Sequence, residues 1–322
     1  MEIDTIYNMD CLEGMKMIPD GSVDCIICDL PYGTMKNWAA GTDRWVEGTH
    51  DWDEVIPTDK LFEQYERVLR VNGVAILFSQ EPYTNHLRGF KHKECNFNFE
   101  FAYSMIWKKN HFANGLNAKQ SPLQYFEDLS VFFKRYDSEG LHPLRDYARK
   151  VLDYLGMKHK EVVADFERRE VLHPTRVSHF LSPDSFQFGL CTAETYQMFI
   201  DFYGIDKMEG FLSYAECEKI NGKYQRVFNL PEGKGHMSNI LEFHKDTDGF
   251  HPTQKPVALI RRLIQTYSNE GDTILDNCMG SGTTAIAAIR EKRHFIGFDL
   301  NAEYYEKAMK RIKLERQQLT LF

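Results

Sequence analysis

Apolar residues follow two different spacings in the first third of the chain. An apolar run at 23–28 with polar flanks is typical of a buried parallel strand. From Thr58 the apolar residues recur at helical spacing through Val68, and Gly73 is the predicted end of that helix. Three further apolar runs predict strands at 74–78, 101–107 and 129–133.

The alternation of strands and helices stops at about residue 135. Helical spacing dominates beyond it, for example at 147–155 and 195–202. The stretch 158–180 has the spacing of two short helices and resembles a helix-turn-helix, although small helical domains of many kinds contain such pairs. We interpret 135–245 as an inserted, mainly helical domain.

Strands and helices alternate again after His251. Pro256 is suited to the first turn of a helix, and a strand follows at 273–275. A glycine-containing turn, a helix of small residues and a strand at 294–298 come next. Asn301 is the predicted cap of the last helix.

This pattern predicts an α/β fold, a doubly wound, mostly parallel sheet with helices on both faces. The chain then divides into residues 1–134, 135–245 and 246–322. Ligands of such sheets bind beyond the carboxyl ends of the strands. Functional side chains are therefore expected just after the strand ends.

The composition is ordinary for a globular protein, with 322 residues, 43% of them hydrophobic and 27% charged. The chain contains no apolar run of about 18 residues and opens without a signal-like segment, so we expect a cytoplasmic protein that does not enter a membrane. Cys25 and Cys28 lie in the first apolar run and are interpreted as buried small residues, and no bound metal is expected. The net charge of −8 argues only weakly against nucleic acid as a partner, because basic residues can gather on one face.

A glycine turn (280–282) follows the strand that ends near Asp276, and Asp299 ends the next strand. Glycines allow the backbone to approach a ligand and open a helix, while the following acid accepts hydrogen bonds from ribose hydroxyls. The turn and the acid together indicate a cofactor that contains adenosine.

The Asp-Leu-Pro-Tyr turn (29–32) suits a different chemistry. The exocyclic amine of a nucleobase is a poor nucleophile, because its lone pair is delocalised into the ring. A carboxylate and a fixed backbone carbonyl can each accept a hydrogen bond from the amine, and an adjacent aromatic ring can stack on an extruded base. Standing alone, the same four residues would be interpreted as a strand end followed by a Pro-Tyr turn.

Four groups of residues occur together in a recognisable order. They are Asn8-Met9-Asp10-Cys11 with Asp29-Leu30-Pro31-Tyr32, Trp107-Lys108-Lys109 with Glu127, His251-Pro252-Thr253-Gln254-Lys255-Pro256, and Asp276 to Thr284 with Asp299 and Tyr304. The combination resembles the DNA amino-methyltransferases, whose catalytic motif is (Asp/Asn/Ser)-Pro-Pro-Tyr. It is similar to their permuted β group, in which the catalytic half precedes the target-recognition domain and the cofactor half. The resemblance implies a Rossmann-like class I methyltransferase core, S-adenosylmethionine as the cofactor and duplex DNA as the substrate.

The resemblance also implies a role for each matched residue. Asp29 and the main-chain carbonyl of Leu30 or Pro31 bind the target amine, and Tyr32 stacks on the target base. Residues implied at the cofactor are Asp10 and Cys11 beside its adenine, Asp299 at its ribose, Asp276, Gly280, Gly282 and Thr283 at its methionine end, and His251, Thr253 and Lys255 at its carboxylate, near a helix N-terminus.

Two positions depart from the family pattern. Leu30 replaces the first proline of the catalytic motif, which keeps the backbone carbonyl and makes its orientation less rigid. Asn277-Cys278 replaces the usual Pro-Phe before the glycine turn. The smaller Cys278 implies either weaker packing against the cofactor or compensation by another aromatic residue.

The sequence leaves several activities open. Aspartate at the first motif position favours N6 of adenine, with N4 of cytosine as the alternative, and methylation at carbon 5 is disfavoured because the chain contains no Pro-Cys dipeptide. A DNA-binding regulator on an inactive methyltransferase core is a further alternative, motivated by the helix-turn-helix-like stretch and by the Leu30 and Cys278 departures. A nicotinamide-dependent oxidoreductase would explain only the glycine turn and Asp299.

The inserted domain is the predicted reader of the DNA sequence. Candidate DNA contacts are Lys108, Lys109, Arg145, Arg149, Lys150, Lys158, Lys160, Arg168, Arg169 and Arg176, since arginine binds guanine edges or phosphates and lysine mostly phosphates. A homodimer and a restriction endonuclease partner are both left open by the sequence.

Overall fold

A computed structural model of the chain describes residues 1–32, 54–90, 98–113, 118–137, 140–169, 175–246 and 254–319. The chain forms two compact units. The core unit comprises Met1–Lys134 and Val227–Phe322, and the helical unit comprises Arg135–Arg226.

The helices and strands follow one another in three stretches. The first contains β1 (Thr5–Asn8), α1 (Cys11–Met15), β2 (Val23–Asp29), α2 (Thr58–Val68), β3 (Leu69–Ser79), α3 (Tyr83–Gly89), β4 (Phe99–Ala113) and β5 (Gln124–Lys134). The helical unit contains α4 (Leu144–Leu155), α5 (His159–Arg168), α6 (Thr175–Phe180), α7 (Ala193–Tyr203) and α8 (Tyr214–Gly222). The last stretch contains β6 (Ile240–Glu242), α9 (Val257–Tyr267), β7 (Thr273–Asp276), α10 (Thr283–Arg290), β8 (His294–Asp299) and α11 (Ala302–Leu319). Of the helices in the described ranges, none is both long and apolar enough to cross a membrane.

The core unit is built on one sheet with the strand order β1-β8-β7-β2-β3-β5-β4-β6. The strands from β1 to β3 in this order are all parallel neighbours. The consecutive strands β4 and β5 pair with each other antiparallel, and β5 also runs antiparallel to β3. The predicted α/β fold with a doubly wound, mostly parallel sheet is confirmed, with an antiparallel segment toward one edge.

Alternate residues of β2 pack against opposite faces of the sheet. Cys25 and Ile27 belong to the apolar cluster that includes α9 and α10, whereas Ile26 and Cys28 belong to the cluster that includes α1 and α2. All four side chains are buried, and both cysteines are free thiols, as interpreted from the sequence. Full burial of an aliphatic side chain contributes about 1.5–3 kcal/mol, so β2 is central to the stability of the sheet.

Helix α2 ends at Val68, and the prediction that Gly73 closes it is wrong. The backbone becomes extended at Leu69, which pairs with Val23 of β2. Gly73 lies within β3 instead, where an added Cβ would be 2.8 Å from the carbonyl oxygen of Arg70. Sheet pairing therefore ends this helix before its glycine is reached.

The helical unit has its own aromatic core, in which Phe166, Phe180 and Phe199 are fully buried. Helices α5 and α6 lie where the sequence indicates two short helices. The unit ends at Arg226 rather than at 245, because β6 pairs with β4 in the sheet of the core unit. The segment 227–245 thus belongs structurally to the core unit.

Candidate active site

Strands β2, β7 and β8 carry the site, because parallel neighbours place their carboxyl ends at one edge of the sheet. They end at Asp29, Asp276 and Asp299 respectively. A cavity of about 1240 Å³ lies at this edge. Residues of the Asp-Leu-Pro-Tyr turn and of the glycine turn both line that cavity. Two motifs far apart in the chain therefore meet at one pocket.

The Asp29 carboxylate is held by two neighbours. Its Oδ1 accepts a hydrogen bond from the Tyr32 hydroxyl at 2.5 Å, and its Oδ2 accepts one from the Lys255 ammonium. Burial raises the pKa of the Asp29 carboxyl, and the positive charge of Lys255 opposes that shift. The side chain is still 27% exposed, so a molecule in the cavity can reach it.

Behind Asp29 lies a row of buried charges. Lys255 Nζ is 3.1 Å from Glu127 Oε2, and Lys109 Nζ is 2.5 Å from Glu127 Oε1. All three side chains are only 8% exposed. Burial raises the pKa of Glu127, but the ammonium groups of Lys255 and Lys109 outweigh it and hold that pKa below its usual value.

This row changes two interpretations made from the sequence. The predicted contact of Lys109 with DNA is wrong, because its side chain is buried in the ion pair with Glu127. Lys255 was expected at the cofactor's carboxylate, whereas its ammonium lies on Asp29 and Glu127. Glu127 was not named as a site residue. Two features of the sequence point to a role for Glu127 at the site: it belongs to one of the four family-like groups, and lysines occur in the same groups.

The glycine turn is tied directly to Asp299. The backbone N–H of Gly280 donates to Asp299 Oδ2 at 2.7 Å, and the N–H of Asn301 donates to Oδ1 at 2.8 Å. Burial raises the pKa of Asp299 to about 6, and the two backbone hydrogen bonds limit the shift. Gly280 has φ +52°, a conformation that glycine adopts without steric strain.

Asp276 stabilises the same turn from its other side. Its Oδ2 accepts a hydrogen bond from the Thr284 hydroxyl at 2.6 Å, and its Oδ1 accepts one from the backbone N–H of Cys278 at 3.0 Å. Burial raises the pKa of Asp276 to about 7. The carboxylate thus fixes the turn as well as lining the cavity.

The two departures from the family pattern have structural partners. Leu30 is buried in the apolar cluster that includes α1 and α2. Asn277 Oδ1 accepts a hydrogen bond from the buried Tyr65 hydroxyl at 2.5 Å. Asn277 Nδ2 lies 3.7 Å from Cys11 Sγ and 3.5 Å from Cys278 Sγ. Where family members usually have Pro-Phe, Asn277 of this chain makes polar contacts with a tyrosine hydroxyl and two thiols.

The remaining residues predicted at the cofactor are placed as follows. Asp10 caps α1 by accepting a hydrogen bond from the Glu13 N–H at 3.0 Å, and both it and Cys11 line the cavity. Thr283 also lines it. Gly282 is absent from the described lining and caps α10 with φ +77°. His251 and Thr253 lie outside the described residues.

The predicted DNA contacts fall into three groups. Arg145 is buried, pairs with Asp137 at 2.6 Å and donates to the carbonyl oxygens of Pro183 and Ser185, so its prediction as a surface contact is wrong. The side chain of Arg176 lies outside the described residues. Exposed residues of the predicted set are Lys108, Arg149, Lys150, Lys158, Lys160, Arg168 and Arg169.

The fold and site define a methyltransferase-type α/β core, in which a catalytic-type turn and a cofactor-type turn share one pocket. The chain belongs to the DNA methylase family N6_N4_Mtase, whose model matches residues 23–310. The resemblance to the DNA amino-methyltransferases is thereby confirmed. Because the same match spans the glycine turn and Asp299, it also leaves no basis for the oxidoreductase alternative.

Individual proteins resemble the chain over most of its length. It is 26% identical over 314 residues to the DNA adenine methyltransferase YhdJ of Escherichia coli (strain K12), covering 97% of this chain and 83% of that protein. The crystal structure of the M1.HpyAVI–SAM complex aligns with a TM-score of 0.52 at 19% identity, covering 95% of this chain and 98% of the other. The cytosine-N4-specific PvuII DNA methyltransferase aligns with a TM-score of 0.51 at 13% identity, covering 95% and 85% respectively. The two structural alignments establish the shared fold.

Proposed function

We propose that the protein transfers a methyl group from S-adenosylmethionine to N6 of adenine in duplex DNA, after the base is flipped out of the helix. The observation that supports this most is the shared cavity, where Asp29 and the glycine turn lie at the ends of neighbouring strands. A methyl donor and an extruded base both need to reach one pocket for direct transfer between them.

The residues of the cavity fit the proposed cofactor. Asp299 ends β8 beside the glycine turn, the position at which a carboxylate accepts from ribose hydroxyls. Gly280 carries no side chain, so a bound molecule can approach the backbone there. Asp10 and Cys11, proposed beside the cofactor's adenine, line the same cavity. The cofactor supplies an electrophilic methyl group on a sulfonium. Asp276 and Thr283 are proposed at its methionine end.

Asp29 is proposed to bind the target amine as a hydrogen-bond acceptor, together with a carbonyl of Leu30 or Pro31. This arrangement directs the nitrogen lone pair toward the methyl group, and catalysis is mainly positioning and polarisation. A nitrogen–carbon bond forms, the sulfur–methyl bond breaks, and the nitrogen loses one proton, for which Asp29 is the adjacent acceptor. Tyr32 is proposed to stack on the base.

Adenine and cytosine both present an exocyclic amine to this chemistry. The relative named an adenine methyltransferase supports N6 of adenine. N4 of cytosine is the alternative, since a cytosine-N4-specific enzyme has the same fold. Mass spectrometry of nucleosides from DNA incubated with the protein and S-adenosylmethionine separates the two: N6-methyladenine supports the proposal, and N4-methylcytosine replaces it with the alternative.

A non-catalytic DNA-binding regulator on this core is the further alternative. The replacement of the first motif proline by Leu30, and the polar contacts around Asn277, are the observations that favour it. Isothermal titration calorimetry with S-adenosylmethionine distinguishes the two. Binding with methyl transfer supports the enzyme, whereas DNA binding without cofactor binding supports the regulator.

The helical unit is proposed to read the target sequence through its exposed basic residues. Arg168 is 73% exposed and Arg169 is 43% exposed on the end of α5. Both guanidinium groups form ion pairs with Asp165. Each of them uses only some of its N–H donors in that pair. A homodimer, a restriction endonuclease partner and a cytoplasmic location stay predictions from the sequence.

A further inference from the structure

The row of buried charges behind Asp29 joins three parts of the core unit. Lys109 comes from β4, Glu127 from β5, and Lys255 from the segment before α9. Trp107 pairs with Glu127 across β4 and β5, so backbone register fixes the carboxylate's place in the sheet. The row ends at Asp29, and its two lysines and two acids balance in charge.

Burial makes each charge of this row depend on its neighbours. A charge away from water is destabilising unless an opposite charge and hydrogen bonds compensate it. Glu127 forms an ion pair with each lysine, one at each carboxylate oxygen, and its Oε2 makes no hydrogen bond among the described residues. Lys255 Nζ also lies 5.3 Å from the centroid of the Phe78 ring, and Lys109 Nζ lies 5.2 Å from that of Trp107. Contacts with aromatic rings and carboxylates together fix the positions of the two ammonium groups.

The row gives the two oxygens of Asp29 different partners. Oδ2 is taken by Lys255, whose ammonium is anchored from behind by Glu127. Oδ1 is taken by the hydroxyl of Tyr32, which comes from the cavity-lining turn itself. An incoming amine can displace the tyrosine hydroxyl without breaking any buried ion pair. Displacing Lys255 would instead leave charges unpaired.

We propose that Glu127 is a positioning residue that holds Lys255 against Oδ2 of Asp29, leaving Oδ1 as the acceptor for the target amine. This rests on the proposed function. Lys255 is then a second positioning residue, which acts on the catalytic carboxylate rather than on the cofactor. The proposal extends the active site to β4 and β5, beyond the turns at the ends of β2 and β7.

The two positioning residues have opposite effects on Asp29. The titratable groups that face it are Tyr32, Lys255, Glu127, Asp276 and Cys28. The charge of Lys255 lowers the pKa of Asp29, whereas the charge of Glu127 raises it. Because the amine is accepted by the carboxylate form, loss of Lys255 moves the acidic limb of the kcat–pH profile to higher pH. Loss of the Glu127 charge lowers the pKa of Asp29 directly while it loosens Lys255, so the acidic limb of Glu127→Gln is expected at lower pH than that of Lys255→Met.

The test compares Lys255→Met, Lys255→Arg and Glu127→Gln, with Glu270→Gln as the matched control. Glu270 forms an exposed ion pair with Lys292 at 3.4 Å and lies outside the described cavity lining. The assay measures transfer of labelled methyl groups to DNA from a methylation-deficient host. Misplacement of a reacting group by about 1 Å costs up to about 100-fold, so Glu127→Gln is expected to lower kcat by 10- to 100-fold, with the KM for DNA nearly unchanged.

Lys255→Met is expected to lower kcat and shift the acidic limb upward, while Lys255→Arg partly restores both. Calorimetry is expected to show wild-type affinity for S-adenosylmethionine in every variant. Unchanged kcat in Glu127→Gln would overturn the proposal, and so would weakened cofactor binding in Lys255→Met, which would return Lys255 to the cofactor's carboxylate. Should Glu127→Gln fail to fold, the Lys109→Met/Glu127→Gln pair, which removes one charge of each sign, serves in its place under the same criteria.

The outcome is separate from that of the proposed function. An inactive wild-type protein would contradict the methyltransferase assignment itself. An active wild-type protein with a fully active Glu127→Gln variant would contradict only the positioning role.

Discussion

The backbone N–H of Gly280 donates a hydrogen bond to Asp299 Oδ2 at 2.7 Å, which ties the glycine turn to the end of the neighbouring strand. The turn and the carboxylate therefore form one structural unit, although 18 residues lie between them in the sequence. The same carboxylate is also the proposed partner of the cofactor's ribose. Its protonation state should consequently affect cofactor binding.

Cofactor affinity should depend on pH through Asp299. Its pKa is raised to about 6, so the carboxylate is ionised above that pH and protonated below it. The contribution of Asp299 to affinity should be complete well above about pH 6 and should fall by up to about tenfold per unit as the pH drops below about 6. Asp276, whose pKa is raised to about 7, should add a second dependence near neutral pH. Calorimetry with S-adenosylmethionine between about pH 5 and pH 8 measures this.

Substitution of Asp299 tests the same contact without a change in pH. A hydrogen bond to a charged group contributes about 1.5–3 kcal/mol, so Asp299→Ala should weaken cofactor binding by roughly 10- to 150-fold. It should also remove the part of the pH dependence that lies near pH 6 and comes from Asp299. If Asp299→Ala bound the cofactor with wild-type affinity, the carboxylate would have no role at the ribose.

Gly14 should tolerate no side chain. An added Cβ would lie 2.2 Å from Cε1 of Phe298, whose ring is fully buried. Gly14→Ala is therefore expected to reduce the free energy of unfolding by about 1–3 kcal/mol, less a gain in helix propensity of up to about 1 kcal/mol. Gly89→Ala is the control, since nothing lies within 4 Å of its Cβ position. Urea denaturation of both variants checks the difference, and equal stability would contradict the close packing.

Arg145 should stabilise the helical unit rather than bind DNA directly. It is 3% exposed and paired with Asp137, and removal of one partner from a buried ion pair costs about 3–5 kcal/mol. Arg145→Ala should therefore lower the thermal stability of the protein markedly. A variant of wild-type stability that had lost only DNA affinity would restore Arg145 to the set of DNA contacts.

Arg168 and Arg169 should behave in the opposite way. Charge reversal at both exposed positions is expected to weaken DNA binding and to reduce its salt dependence by about one unit of slope per lost phosphate contact. Thermal stability should change less than in Arg145→Ala, because both guanidinium groups are largely exposed and lose only the pairs with Asp165 and the packing of Arg169 on the Phe202 ring. DNA affinity of the variant and of the wild-type protein, measured at several salt concentrations, tests this prediction. Unchanged affinity and slope would remove this patch from the proposed interface.

Features that depend on the local spacing of apolar and polar residues could be predicted from the sequence. Apolar runs predicted β2 and β8, and the polar residues directly after them placed Asp29 and Asp299 at the edge of the sheet where ligands bind. The domain insertion was visible as a change from alternating elements to helices alone. These features follow from residue spacing and from the rule that parallel strands end at one edge.

Features that depend on tertiary contacts could not be predicted from the sequence. Glu127 reaches Lys255 only through the antiparallel register of β4 with β5, which no local pattern specifies. Arg145 resembles a surface residue in sequence, yet it meets Asp137 in the interior of the helical unit. The end of α2 at Val68 was likewise set by sheet pairing of the next residue, not by the helix signal at Gly73.

The proposed function depends on Asp29 binding the reacting amine in a pocket shared with the cofactor. It is tested most directly by incubating DNA with labelled S-adenosylmethionine and either the wild-type protein or Asp29→Ala, followed by mass spectrometry of the nucleosides. The proposed role of Asp29 predicts labelled N6-methyladenine with the wild-type protein and none with Asp29→Ala, which should still bind the cofactor by calorimetry. Methylation by Asp29→Ala at the wild-type rate would contradict it.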